Sequence, residues 1–347
     1  MIKNLEIKNF RGFSEYKIDD VGQVNLLVGT NNCGKTSILE AIQLLKLRGS
    51  YLAYFSSIDQ RGEKSEQQIS ARDFRGLFHG FNFIPLSAFL IQCNDNEYLK
   101  TSISTEKDLY LDIDTLDNDY RFHIIYSVKN KKTESVIVFN KGRTEQRFAK
   151  NAPEHIKNIK FVPASSLTTQ KVIALFEKIA LLPDEEFVLE AIRIIEPDIM
   201  RLASLGGKTF SERDTRGGFF VKSSKWEERI PIGSFGDGIW RLLGIALSLV
   251  GAKNGTLLID EIDTGLHHTV MSKMWKLICA TAKKLNVQVF ATTHSSDCWK
   301  TLADNAVEEK FADMPIRIHR IDKDKKKPET FTNQEMHLAL NREIEVR

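Results

Sequence analysis

Four short stretches of the sequence carry residues whose types and spacing suit phosphate chemistry. Gly29-Thr30-Asn31-Asn32-Cys33-Gly34-Lys35-Thr36 fits the pattern GxxxxGK(S/T), following a buried apolar run, Val24 to Val28, and preceding a helix, Ser37 to Leu47. Such a loop turns backbone N–H groups and a helix N-terminus toward phosphate. Lys35 then neutralises the β and γ oxygens, and the Thr36 hydroxyl can ligate Mg²⁺. Thr256-Leu257-Leu258-Ile259-Asp260-Glu261 is an apolar strand ending in two carboxylates, at the sheet edge where α/β folds bind ligands. Asp260 would hold Mg²⁺, directly or through water. Glu261 projects the other way and would polarise an attacking water. Val289 to Thr292 is a further apolar strand, so His294 should emerge on the same edge, where a neutral imidazole can hydrogen-bond the γ-phosphate or the water. Gly233-Ser234-Phe235-Gly236-Asp237-Gly238 precedes an apolar helix and offers a hydroxyl, backbone donors and a helix N-terminus together. Taken alone, that last stretch is equally the pattern of a helix cap.

Positioning these residues requires alternating strands and helices. The chain opens on a strand, Leu5 to Phe10, a turn at Arg11 and Gly12, and a second strand-like piece before Val24. Tyr51 to Gly80 is polar, with scattered charges, and reads as a surface excursion. Alternation resumes at Leu86 to Cys93, and from Glu97 to Phe148 the period-two segments LYLDID, YRFHIIYSV and ESVIVF, separated by DNDY and KNKK, predict an antiparallel sheet. After a short strand, Ile159 to Val162, apolar residues at helical spacing in Leu167–Leu182 and Glu185–Leu205 predict a small helical insertion. The rest alternates again: helix Gly238–Val250, strand Thr256–Ile259, helix Thr269–Leu285, strand Val287–Thr292, a helix from Asp297 and strand Pro315–Ile321. That alternation implies a parallel sheet. The expected divisions are 1–93 for the first part of the core with the phosphate loop, 94–163 for the antiparallel subdomain and return strand, 164–205 for the helical insertion, and 206–347 for the second part of the core.

A chain of 347 residues with 42% hydrophobic and 27% charged residues can bury a full core in water. Its longest apolar stretches, Phe83 to Cys93 and Leu242 to Ala252, fall short of the roughly 20 residues that cross a bilayer, and the N-terminus lacks a secretory apolar region. A cytoplasmic protein with no membrane partner is expected. Cys33, Cys93, Cys279 and Cys298 are far apart and read as reduced thiols, with neither a zinc site nor disulfides suggested. A net charge of +3 leaves nucleic-acid binding open.

Taken in order, the phosphate loop, Ser-Gly signature, Asp-Glu strand and terminal His resemble the ABC-type ATPases of the RecF/SMC group, as does the opening NLEIKNFRGF. Within that group DEIDTGLHH (Asp260–His268) and ATTHSSDCW (Ala291–Trp299) are most similar to the OLD (overcoming lysogenisation defect) type. The resemblance covers both ends of the chain but not the middle. It implies a P-loop ABC-type ATPase head using ATP and Mg²⁺, working as a head-to-tail dimer in which Ser234 and Gly236 cap the ATP on the partner's phosphate loop. It also implies that Arg11 lies near the nucleotide and that a glutamine entering the helical insertion, for which Gln170 is the candidate, senses Mg²⁺. Phe235 stands where glycine is commonest in the signature, and His267 where many members carry an aspartate, so communication between the two sites is expected to differ.

Likeness to the OLD type further implies an ATP-gated switch in prokaryotic defence against phage, acting on a separate effector such as a TOPRIM-like nuclease or toxin. A RecF-like DNA clamp is the alternative, and a transporter subunit fits the middle of the chain poorly. Only about 50 residues follow His294, too few for a nuclease domain of its own. The DxD at Asp322 and Asp324 lies among the lysines of a solvated turn, without further acidic partners for a two-metal site. Lys129–Lys132 and Lys323–Lys327 are basic clusters able to meet DNA phosphates, although such runs are usually solvent-facing loops.

Overall fold

The computed structural model describes residues 1–64, 70–94, 96–105, 120–140, 143–150, 158–204 and 218–346. In chain order it holds β1 (Leu5–Phe10), β2 (Phe13–Ile18), β3 (Val24–Val28), α1 (Lys35–Lys46) and α2 (Tyr51–Gln60). Next come β4 (Ala88–Cys93), β5 (Glu97–Thr105), β6 (Tyr120–Val128), β7 (Lys131–Asn140), β8 (Arg143–Lys150) and β9 (Ile159–Val162). The middle continues with α3 (Thr169–Phe176), α4 (Glu185–Arg193), β10 (Ile199–Ser204), β11 (Phe219–Ser223) and β12 (Ile230–Pro231). The last part is α5 (Asp237–Gly251), β13 (Thr256–Ile259), α6 (His268–Leu285), β14 (Gln288–Thr292), α7 (Ser296–Asn305), β15 (Ile316–Arg320), β16 (Glu329–Phe331) and α8 (Asn333–Asn341).

This is a mixed α/β fold. A six-stranded sheet runs β16-β15-β3-β14-β13-β9 and is parallel except for the β15–β16 hairpin. Every residue of β3, β13 and β14 is buried, which is what the continuous apolar runs demand when both faces of a sheet are covered. One face packs on α5, α6 and α7. The other packs on α1, which lies between this sheet and a seven-stranded antiparallel one, so that Leu27, Leu258 and Phe290 share a core with Ile38, Leu45, Phe89 and Phe122. Enclosure between two sheets explains why even Glu40, Gln43 and Lys46 of α1 are buried. The two charged ends are matched, Lys46 Nζ reaching Glu97 Oε2 at 2.7 Å and Glu40 meeting Arg11 and Arg61, whereas Gln43 Oε1 has no hydrogen-bond partner among the described residues.

The antiparallel sheet has the order β2-β1-β4-β5-β6-β7-β8. It crosses the expected division between residues 93 and 94, because β4 pairs with both β1 and β5. LYLDID and most of DNDY lie outside the described residues. KNKK forms the β6–β7 turn, with Lys129 and Asn130 both at positive φ as a tight two-residue hairpin requires.

Two expectations are corrected. Tyr51 to Gly80 is no plain surface excursion: α2 turns Ala53, Tyr54 and Ile58 inward, and Phe74, Leu77 and Phe78 are buried with them. Its charges mask an aromatic minority that does the packing, with Phe74 lying 4.6 Å from Phe122 between ring centroids. The helix expected to reach Leu205 instead stops at Arg193, and Ile199–Ser204 is the strand β10, paired with β11 in a three-stranded sheet. A bulge between Ile199 and Arg201 puts Ile199 and Leu202 on one buried face, three residues apart, and so imitates helical spacing.

Candidate functional site

The C-terminal ends of β3, β13 and β14 converge on one cleft, lined by Asn32, Cys33, Gly34, Lys35, Thr36, Asp260, Glu261, Thr292 and His294. Its lining has no large apolar side chain, and its ammonium, hydroxyls and carboxylates are groups that suit phosphate and a metal ion. Gly34 caps α1 at φ 101, and a Cβ there would stand 2.3 Å from the Phe13 ring. Glycine is therefore required both by the left-handed turn and by β2 packing beneath it. Lys35, buried, donates from Nζ to the carbonyls of Gly29 (2.9 Å) and Thr30 (2.8 Å), with Cys33 Sγ at 3.7 Å. Burial pushes the Lys35 ammonium below its ordinary range, the effect expected of a cation waiting to meet an anion. Asn31 and Asn32 stand exposed at the tip of the loop.

Thr36 Oγ1 donates to Asp260 at 3.0 Å from Oδ1 and 3.3 Å from Oδ2, so the expected metal ligands touch. One hydroxyl and one carboxylate opening on a phosphate cleft fit Mg²⁺, which keeps several waters and takes one or two protein ligands beside phosphate oxygens. Among the described residues no group of three or more His, Cys, Asp or Glu could hold a metal by itself. Thr292 Oγ1 donates to Asp260 Oδ1 at 2.7 Å and accepts from Glu261 N at 2.8 Å, orienting both acids. Glu261 sits at φ 48, in the left-handed region, where holding a non-glycine residue costs about 1–3 kcal/mol. Its carboxylate Oε2 accepts from Thr264 Oγ1 at 3.3 Å. His294 Nδ1 lies 3.5 Å from Lys35 Nζ. Burial, and then the Lys35 charge, lower the His294 imidazole, which keeps it neutral near pH 7 and able to accept or donate one hydrogen bond.

Other expected residues stand elsewhere. Ser234 and Gly236 are exposed at the N-terminal end of α5 and do not line the cleft. A Cβ at Gly236 would meet nothing within 4 Å, so the signature opens outward from the molecule. Arg11 is buried beneath α1, with Nε 2.9 Å from Glu40, Nη1 2.5 Å from Glu63 and Nη2 2.9 Å from Ser57. Ser37 backs the loop and accepts from Arg61 Nη2 at 3.0 Å. Gln170 is exposed in the first turn of α3 and is not part of the cleft lining.

Residues 24–297 match the family described as "AAA domain, putative AbiEii toxin, Type IV TA system". The chain belongs to this AAA-domain family. It is 24% identical over 361 residues to a Helicobacter pylori protein named ATP/GTP phosphatase, covering 89% of each. It is 46% identical over 50 residues to the DNA replication and repair protein RecF of Lactococcus lactis subsp. lactis, a match spanning only 14% of either chain. A similar solved structure is the SMC head bound to the C-winged helix domain of ScpA, with 14% identity, 95% of this chain and 98% of that one covered, and a TM-score of 0.48.

Three residues of this AAA domain escaped the sequence reading. Thr292 could have been found as a hydroxyl at the end of an apolar strand, where only a polar partner explains it. Arg61 pairs with Glu40 at 2.6 Å and feels the Asp260 charge, but it lies within the stretch, Tyr51 to Gly80, that reads as surface. Arg241 sits inside an apolar helix, where a single arginine signals a buried acceptor. No helix of the described residues is long and apolar enough to cross a membrane, and all four cysteines are free and buried.

Proposed function

We propose that this protein binds ATP with Mg²⁺ in the cleft and hydrolyses it, and that two copies close head to tail around the nucleotides. The observation that carries this reading is the cluster of Lys35, Thr36, Asp260, Glu261 and His294 at one sheet edge, with the outward-facing signature outside it. Lys35 and the loop N–H groups hold the β and γ phosphates, and Thr36 and Asp260 hold the metal. Mg²⁺ supplies charge neutralisation on the phosphate oxygens. Glu261 orients the attacking water and draws off its proton, while neutral His294 hydrogen-bonds the γ-phosphate or that water. Ser234, Gly236 and the N-terminus of α5 give the partner's γ-phosphate the donors that its own cleft lacks. The name of the Helicobacter pylori relative supports hydrolysis.

For the biological role we infer an ATP-gated switch that acts on a separate effector in defence against phage, in the manner of OLD-type proteins. The family description, which names a toxin–antitoxin system, supports this direction. A RecF-like clamp gains support from the short RecF match. At the β15–β16 turn Lys326 and Lys327 meet Glu15 and Asp19, at 2.8 and 2.7 Å, in exposed pairs that solvent keeps weak.

Phosphate release measured across a protein dilution series, with sedimentation alongside, tests the reading. Activity per protomer should rise with concentration as dimers form. Hydrolysis at constant specific activity by a monomer would remove the dimer, and a folded protein with no Mg²⁺-dependent release of phosphate from ATP would remove the ATPase.

A further inference from the structure

Arg241 stands in the second turn of α5, 1% exposed, yet its guanidinium reaches the carboxyl ends of two strands. Nη1 donates to the Pro163 carbonyl just after β9 at 2.5 Å. Nη2 donates to the carbonyls of Asp260 at 2.6 Å and Glu261 at 2.8 Å, just after β13. Those two carbonyls belong to the peptide planes on either side of the Glu261 Cα. Their relative orientation is the φ and ψ of Glu261, and hence the direction of its Cα–Cβ bond. One nitrogen therefore grips both planes of a residue whose backbone lies at φ 48, against its intrinsic preference. Burial lowers the guanidinium to about 10, still charged at neutral pH, and Asp260, Asp263 and Glu261 help to keep it so.

The same helix begins at the signature. Gly236 caps α5, and a Cβ on Gly238 would stand 2.9 Å from the carbonyl oxygen of Gly265, so the turn that follows Glu261 rests directly on the first turn of α5. A shift of α5 is thereby carried to Glu261 by two routes, the Gly238–Gly265 contact and the Arg241 clamp.

We propose that Arg241 is a positioning residue for hydrolysis: from α5 it clamps the two peptide planes flanking Glu261 and so aims that carboxylate at the attacking water. This rests on the hydrolytic reading of the cleft and adds the means by which α5, engaged at its N-terminus, sets the activity of its own protomer's site.

The test is Arg241→Lys, which keeps a cation but not the planar fork. At a temperature where melting curves show every variant folded, kcat should fall about tenfold or more, while the Kd for a fluorescent ATP analogue stays within about twofold. Adding Arg241→Lys to Glu261→Gln should change the residual single-turnover rate by less than about twofold, because the carboxylate that Arg241 aims is already gone. Arg241→Gln serves as a second variant and should show the same division between kcat and Kd. An Arg241→Lys protein with the kcat of the natural sequence, or one that lowers kcat as strongly in the Glu261→Gln background as alone, would overturn the proposal. If Glu261→Gln abolishes turnover and Arg241→Lys leaves it intact, only the positioning role fails. If the natural sequence does not hydrolyse ATP, the hydrolytic reading fails and this proposal with it.

Discussion

Glu261→Gln is expected to bind ATP as the natural sequence does and to turn it over about 10²- to 10⁴-fold more slowly, the range lost when a positioned base is removed. The amide keeps the shape of the side chain, and its carbonyl oxygen can still accept from Thr264 Oγ1. The backbone contacts of Glu261 with Thr292 and Arg241 do not involve the carboxylate. Nothing that holds phosphate or metal changes, because those groups are Lys35, Thr36 and Asp260. Affinity measured by a fluorescent ATP analogue and kcat by phosphate release separate the two effects. An unaltered kcat would take the role of base away from Glu261.

Lys35→Met should do the reverse and act first on binding. Lys35 Nζ bonds the carbonyls of Gly29 and Thr30 and is poised over the cleft, so its loss costs ATP a charged partner and leaves the loop less firmly held. A hydrogen bond to a charged group contributes about 1.5–3 kcal/mol, which corresponds to a roughly 10- to 150-fold weaker Kd. Methionine keeps most of the buried stem, so the folded state should persist, which a melting curve checks. Titration of the variant with the fluorescent analogue reads the effect. Affinity within twofold of the natural sequence would mean that the phosphates lie elsewhere.

The parts of the molecule that were legible in the sequence are those where local pattern and final environment agree. β3, β13 and β14 are apolar throughout because helices or a second sheet cover both faces, and the polar residues at their ends must then emerge at the edge where Thr36, Asp260 and His294 meet. Gly34 was legible for the same reason, since a left-handed N-cap admits little else. What stayed hidden depends on contacts between distant segments. β10 imitates a helix because its bulge spaces buried residues three apart. α2 and the aromatic residues after it look polar until the antiparallel sheet closes over them. Arg11 is expected near the nucleotide on family likeness but spends its donors on Glu40, Glu63 and Ser57 beneath α1, acceptors that sequence spacing does not reveal. Arg241 was hidden likewise, because its acceptors are main-chain carbonyls, which leave no mark in composition.

Mixing two inactive proteins tests most directly the claim that the signature of one copy completes the cleft of another. Lys35→Met lacks a working phosphate loop, and Ser234→Arg, at an exposed position, blocks the signature without touching the cleft. Each alone should be inactive. In a heterodimer, one of the two composite sites joins the intact phosphate loop of the Ser234→Arg copy to the intact signature of the Lys35→Met copy. An equimolar mixture, half of whose dimers are mixed, should regain about a quarter of the natural turnover. A mixture as inactive as its parts, or a Ser234→Arg protein that hydrolyses ATP at the natural rate, would contradict the shared site.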